Sequence, residues 1–213
     1  MLKSHNMKKN FLIIASLAVL CSCTEKEDLT KSGINPADFD GAYDGRKTAL
    51  YTLANSSGME VCITNFGARI VSVTVPDVNG DYQDVVLGFD KVSDYFPENN
   101  DSNFGATIGR YANRIRSGEF SLDGEKYSLP KNDHGHCLHG GDAGWHYKVF
   151  ECVESSDSSV KLKFVSPDGE NGFPGTVTAF VTFTLTEDNA IDIAYEATTD
   201  KATIINKETN TFK

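Results

Sequence analysis

The feature that most constrains the fold is a two-residue alternation of apolar and polar side chains that recurs along the chain. It is clearest over residues 176–185, where apolar side chains alternate with threonines at 176, 178, 182 and 184. Because successive side chains of an extended strand point to opposite faces, this period indicates strands with one face in a core and the other in solvent. The same alternation occurs in three further groups: Val71, Val73 and Val75; Val160, Leu162 and Phe164; and Ile191, Ile193 and Tyr195.

Turn signals separate these predicted strands. Asp123-Gly124 lies between two short apolar runs, Asn79-Gly80 follows one strand, and residues 187–189 join the last two long runs. Asp-Gly and Asn-Gly are typical of tight hairpins, in which both central residues take positive φ. The chain carries no helical period over three turns, and we expect only a short helical turn near residues 91–95. The sequence therefore predicts an all-β fold, a twisted antiparallel sandwich.

Charge and length limit the possible partners. The 213 residues carry a net charge of −10 and a pI near 4.9, whereas nucleic-acid binding requires a basic face. We therefore expect no nucleic-acid partner. The length suits one domain with a sizeable core, and we expect a monomer.

The N-terminal residues are predicted to be an export signal. Lys8 and Lys9 precede an apolar run over residues 11–20, which ends in Cys21 and Cys23. A basic start and a short apolar core indicate a signal peptide, and the run is too short to span a bilayer. Residues 1–23 resemble a bacterial lipoprotein signal with Cys23 as the lipidated residue, which predicts a cell-envelope protein that meets the membrane through its lipid anchor only. An ordinary cleaved signal is the alternative.

The rest of the chain is divided by composition. Residues 24–46 are polar with scattered glycines and are predicted to be a tether, and residues 47–213 are predicted to form the β-domain. Outside residues 1–23 the chain has three cysteines, at 62, 137 and 152. An odd number implies no disulfide framework. We expect Cys62 and Cys152 to be small core residues.

One stretch, residues 103–141, collects polar groups that suit a sugar. It holds Asn113 and Arg114 and, further on, His139 followed by two glycines. A guanidinium is a fork of fixed donors, an amide donates and accepts, and a neutral imidazole does one of each. Glycines beside the histidine let a ligand approach the backbone closely. These residues predict a site for a polyhydroxylated ring.

Several segments also resemble, in order and spacing, the aldose 1-epimerase (galactose mutarotase) family. They are NFGARIVSVTVPDVNG (65–80), VVLGFD (85–90), FGATIGRYANRI (104–115), FSLDGEKYSL (120–129), LHGG (138–141) and SPDGENGFPG (166–175). The resemblance covers residues 50–206. It implies a β-supersandwich isomerase that interconverts the α and β anomers of free hexoses such as galactose and glucose. It implies no organic cofactor; Ca²⁺ occurs in parts of the family, but this chain has no EF-hand spacing.

The resemblance also assigns roles to site residues. It implies that His139 is a catalytic residue that hydrogen-bonds near the ring oxygen, and that Asn113, Arg114 and His139 hold the substrate. The family's principal acid histidine is expected in a TNHxxFNL-like segment, with an aspartate and a glutamate base further on. This sequence reaches that region as ATIINKETNTFK, without a histidine. We therefore expect a sandwich that is incomplete at its C-terminal end and a chain that lacks the principal acid and base. The alternative is a non-catalytic carbohydrate-binding envelope lipoprotein or an inert remnant.

A zinc site is a further alternative on the same stretch. His134, His136, Cys137 and His139 offer imidazole and thiolate ligands at close range. Against this site, an extended segment would place His136 and Cys137 on opposite faces, and we expect no metal. Nearby, Trp145 and His146 are predicted to be core or sugar-stacking neighbours.

Overall fold

The computed structural model describes residues 29–99 and 102–209, and this part of the chain is built from short antiparallel strands and single 3-10 turns. The first eight strands are β1 (Gly41–Tyr43), β2 (Arg46–Thr48), β3 (Leu50–Ala54), β4 (Glu60–Thr64), β5 (Arg69–Pro76), β6 (Tyr82–Asp84), β7 (Thr107–Ile108) and β8 (Arg114–Ile115). The next eight are β9 (Glu119–Leu122), β10 (Glu125–Ser128), β11 (Cys137–Leu138), β12 (Glu151–Ser155), β13 (Ser159–Ser166), β14 (Val177–Leu185), β15 (Ile191–Thr199) and β16 (Glu208–Thr209). The 3-10 helices span Pro36–Phe39, Val92–Tyr95, Arg116–Gly118, Trp145–Tyr147 and Glu170–Gly172.

Two four-stranded sheets form the sandwich. Their strand orders are β3-β4-β5-β6 and β12-β13-β14-β15, and every neighbouring pair is antiparallel. The main core lies between them, with Val61 and Ile63 of the first sheet and Leu162 and Phe183 of the second fully buried. Each such side chain contributes about 1.5–3 kcal/mol by leaving water. The predicted all-β sandwich is confirmed, and so are the alternating strands β13, β14 and β15.

The first sheet is covered on its other face as well, because all five residues of β4 are buried. A second cluster packs Ile34 and Phe39 against Cys62 and Phe66. From Leu29 onward, the segment interpreted as a tether is thus folded onto the sheet. Ile34 and Phe39 are not part of an alternating apolar run, so the pattern of the sequence did not predict their burial.

A β-bulge in β5 changes one predicted face. Ile63 pairs with Ile70, whereas Cys62 pairs with Ser72, so β5 has an extra residue at Val71. Val71 therefore packs in the second cluster while Val73 packs in the main core. The expectation that Val71, Val73 and Val75 share one face is wrong for Val71, because one inserted residue reverses the alternation.

Of the two Asx-Gly turns, Asn79-Gly80 joins β5 to β6 with only Gly80 at positive φ, 87°, whereas Asp123-Gly124 has the predicted geometry. Asp123 and Gly124 both have positive φ, 52° and 84°, and join β9 to β10. The short helical turn appears as the 3-10 helix Val92–Tyr95. Cys62 is a core residue as expected, but Cys152 is only partly buried.

Two predictions concern residues that the structure does not describe. The signal peptide and the lipidation of Cys23 fall on residues outside the described ranges. Across residues 29–99 and 102–209, no helix is both long and apolar enough to span a bilayer.

Candidate functional site

Asn113 and His139 meet across two short strands. Arg114 of β8 pairs with Leu138 of β11, which places the residues before and after them side by side. The backbone N–H of Asn113 donates to Nδ1 of His139 at 3.2 Å, and the backbone N–H of His139 donates to the carbonyl of Asn113 at 3.1 Å. Because Nδ1 accepts a hydrogen bond, a neutral His139 carries its proton on Nε2.

Arg114 follows Asn113 and is held by Asp133. The guanidinium Nε donates to Oδ2 of Asp133 at 2.5 Å. The Arg114 side chain is 54% exposed and that of Asp133 is 17% exposed. The hydrogen bond from Arg114 keeps the pKa of Asp133 below its ordinary value, so this carboxylate is charged at neutral pH.

The loop before β11 is stiffened by side-chain to backbone bonds. The Asn132 amide accepts from the Leu138 N–H at 2.8 Å and donates to the Leu138 carbonyl at 3.0 Å. Asp133 and His136 exchange two backbone hydrogen bonds around His134 and Gly135, which both have positive φ. These bonds thus fix the backbone of Leu138, the residue that precedes His139.

Two glycines allow the site loops to touch. A β-carbon on Gly140, whose φ is 85°, would lie 2.2 Å from the carbonyl oxygen of Gly109. A β-carbon on Gly109 would lie 2.2 Å from the Trp145 ring. Since real β-carbons do not approach so closely, glycine at 140 allows the backbone contact with Gly109, and glycine at 109 leaves room for the Trp145 ring.

Arg110 ties the same loops to the connection between β13 and β14. Its side chain is buried, and its guanidinium donates to the carbonyls of Ser166, Pro167, Pro174 and Gly175 at 2.7–3.2 Å. The Oγ of Ser166 also accepts from it, and Asn171 donates to the Gly140 carbonyl at 2.7 Å. The 166–175 segment, one of those that resemble the family, is therefore part of the support of the His139 loop.

Burial determines the charge state of His139. It lowers the pKa of this imidazole below its ordinary value of 6.5, and the positive charge of Arg114 acts in the same direction. The carboxylates of Glu208 on β16 and of Asp133 act in the opposite direction. His139 is therefore neutral at pH 7.

A second histidine lies behind the first. His146 is 3% exposed, and burial is the main cause that lowers its pKa to about 3. A β-carbon on Gly144 would lie 2.8 Å from His146 Nδ1 and 2.5 Å from the His139 carbonyl oxygen. Trp145 is buried against Phe164. Trp145 and His146 are thus buried neighbours of the site, which is the first of the two roles predicted for them, core or sugar stacking.

The residues of the zinc alternative do not converge. Cys137 is buried with Leu129 and Phe173, whereas the His134 side chain is 94% exposed. Nδ1 of His136 accepts from the Ser117 N–H at 3.0 Å. In the part of the chain that the structure describes, no three His, Cys, Asp or Glu side chains are grouped as metal ligands.

The predicted sugar residues lie on an open surface rather than in a closed cavity. Asn113 and Arg114 are exposed. A polar cleft of about 460 Å³ lies elsewhere, lined by residues that include Arg46, Lys148 and Glu170, and none of the three predicted sugar residues lines it. The convergence of polar groups, not concavity, therefore defines the candidate site.

Comparison with known proteins identifies the family. The family model for aldose 1-epimerase matches residues 49–207. The chain belongs to the aldose 1-epimerase family. This family is a class of isomerases, and the resemblance noted in the sequence is confirmed.

The chain is similar to curated aldose 1-epimerases over part of their length. The aldose 1-epimerase of Escherichia coli K12 is 36% identical over 171 residues, which cover 80% of this chain and 49% of that protein. The galactose mutarotase of Rattus norvegicus is 36% identical over 157 residues, which cover 74% and 45%. The chain thus spans about half the length of the curated relatives it matches.

Solved structures of family members show the same fold. The aldose epimerase homologue from C. elegans aligns with a TM-score of 0.70 and 34% identity, covering 74% of this chain and 48% of that one. Galactose 1-epimerase from Lactobacillus acidophilus aligns with a TM-score of 0.68 and 29% identity, covering 78% and 49%. The galactose mutarotase-like fold predicted from the sequence is confirmed.

Proposed function

We propose that this aldose 1-epimerase family member binds free hexoses such as galactose and glucose, with Asn113, Arg114 and His139 contacting the sugar. The observation that carries the proposal is the hydrogen bond from the Asn113 N–H to His139 Nδ1. It fixes the tautomer in which Nε2–H is a donor, beside the exposed guanidinium of Arg114. A neutral imidazole donor and a forked cation match the ring oxygen and adjacent hydroxyls of an aldose.

In the proposed reaction, His139 Nε2–H hydrogen-bonds to the ring oxygen while the C1 hydroxyl loses its proton to a base. The bond between C1 and the ring oxygen breaks, the ring oxygen takes a proton from a general acid, and the electron pair left on the C1 oxygen forms the aldehyde C=O bond. Rotation about C1–C2 and reclosure on the other face give the second anomer. A positioned acid or base contributes about 10²–10⁴-fold to such a step.

Ring opening needs two proton-transfer groups. Among the described residues, His139 is better placed to be one of them than any carboxylate is to be the other. Of the two carboxylates that act on His139, Asp133 is bound to Arg114, and Glu208 lies on β16. We therefore expect the 213-residue chain to bind hexoses and to catalyse their anomerisation poorly. Binding without anomerisation is the second candidate function, a carbohydrate-binding envelope protein.

The test combines NMR titration with galactose and polarimetry of freshly dissolved α-galactose. We expect His139→Ala to weaken galactose binding at least tenfold, because it removes the Nε2–H donor and the contact with Asn113. His134→Ala is the matched control, since that imidazole is 94% exposed on the same loop. Equal binding by wild type and His139→Ala would refute the site. Rotation that relaxes faster than the buffer rate in wild type only would show that the chain is an active epimerase.

A further inference from the structure

Among the residues that the structure describes, the Arg114 guanidinium is hydrogen-bonded on one edge only. Its Nε donates to Asp133 Oδ2 at 2.5 Å, and the side chain is otherwise 54% exposed. An arginine has N–H groups on Nε and on two terminal nitrogens, all in one plane. A bond at Nε fixes the rotation of that plane and leaves the terminal N–H groups available to a ligand.

Asp133 is itself held in place. The turn through His134 and Gly135 returns the chain so that Asp133 and His136 exchange backbone bonds of 3.1 and 2.7 Å. The preceding residue, Asn132, is bound twice to Leu138, and Leu138 is the strand partner of Arg114. The carboxylate and the guanidinium that it binds thus belong to one locally closed unit.

We propose that Asp133 is a positioning residue that presets the Arg114 guanidinium for contact with sugar hydroxyls. The inference rests on the proposed function of Arg114. A long, exposed arginine samples many rotamers, and ordering it on binding costs free energy that lowers affinity. A charge-assisted bond at Nε orders the side chain before the ligand arrives, and the gain is a tighter complex.

This role differs from a merely structural one in what depends on Arg114. If Asp133 acts through the guanidinium, its loss has no effect on binding once Arg114 is gone. If Asp133 only supports the loop, its loss weakens binding to the same extent with or without Arg114. A double-mutant cycle separates the two cases.

The experiment measures galactose affinity by NMR titration of the full chain, together with the ¹⁵N–¹H signal of Arg114 Nε. We expect Asp133→Ser, which keeps a small polar residue in the turn but cannot reach Nε, to weaken affinity about tenfold and to abolish protection of the Nε–H from exchange. We expect Asp133→Asn, which keeps an acceptor oxygen, to retain both within about threefold. Asp192→Ala, which removes an exposed carboxylate on β15, is the control and should match wild type.

The experiment distinguishes a failure of the positioning role from a failure of the proposed function. In an Arg114→Ala background, Asp133→Ser should cause no further loss; a loss equal to that in wild type overturns the positioning role. Affinity in Asp133→Ser equal to that of wild type also overturns it. A wild-type chain that does not bind galactose overturns the proposed function instead, and Asp133 is then judged by the Nε signal. Persistence of a protected Nε–H in Asp133→Ser overturns the inference in that case too.

Discussion

Replacing Arg110 with lysine should loosen the support of the candidate site while keeping its charge. The Arg110 guanidinium is buried and donates to the carbonyls of Ser166, Pro167, Pro174 and Gly175. A lysine ammonium has three donors on one nitrogen, whereas the arginine fork places its donors on three nitrogens spread across a plane. One nitrogen does not reach both the Pro174 and Gly175 carbonyls, which bind one terminal nitrogen, and the Ser166 and Pro167 carbonyls, which bind the other.

The cost follows from the carbonyls left without a donor. Ser166, Pro174 and Gly175 are buried, so water does not replace the lost donor at their carbonyls. A buried polar group without its partner costs about 1–3 kcal/mol. With two of these carbonyls unsatisfied, Arg110→Lys should lower the free energy of unfolding by about 2–6 kcal/mol, a large part of the 5–15 kcal/mol typical of a domain.

Urea unfolding at neutral pH provides the measurement, with Arg116→Lys as the control. Arg116 is exposed, and its replacement should change the free energy of unfolding by less than about 0.5 kcal/mol. Galactose affinity, measured on the folded fraction, should fall as well, because the 166–175 segment contacts the His139 loop through Asn171 and Gly140. A change below about 1 kcal/mol in Arg110→Lys would refute the reasoning, since the carbonyls would then not depend on the guanidinium.

Two further predictions concern residues beside the site. The pKa of His146 is lowered from 6.5 to about 3, so the unfolded chain takes up a proton first as the pH falls, and the stability present above pH 6.5 is lost progressively down to about pH 3. At 1.36 kcal/mol per pH unit, wild type should lose roughly 2.7 kcal/mol more than His146→Phe between pH 7.5 and 4.5, measured by urea unfolding; parallel profiles would contradict this. Gly109→Ala should cost about 1–3 kcal/mol by overpacking, because the new β-carbon would lie 2.2 Å from the Trp145 ring. The fluorescence of Trp145, the only tryptophan, reports this change, and an unaltered spectrum and urea midpoint would count against the close contact.

Alternation predicted the sandwich because it reports a local property, the two faces of a strand. It predicted β13, β14 and β15 correctly, and it failed at Val71, where an extra residue reverses the faces without leaving a mark in the sequence. It also missed Ile34 and Phe39, whose burial depends on the far face of a sheet formed later in the chain. Tertiary context, not local pattern, decides these positions.

The candidate site divides in the same way. Asn113, Arg114 and His139 were predicted as site residues from their residue types, neighbouring glycines and the family resemblance, and the structure places them side by side. Arg110 was passed over although it lies in the same motif, because its partners are carbonyls 56–65 residues away. Asp133 lies 19 residues from Arg114 and carried no signal of its own. An aspartate next to a turn in front of a histidine-glycine motif is the pattern to examine in such sequences.

The clamp made by Arg110 affects how freely its partner segment can vary. Four of its acceptors are main-chain oxygens, which every amino acid supplies. A substitution in the 166–175 segment that preserves the path of the backbone therefore leaves these bonds intact, whatever side chain it introduces. The segment is thus open to sequence change at positions whose side chains make no bond of their own, unlike Ser166 and Asn171, while a single arginine holds the path of its backbone constant.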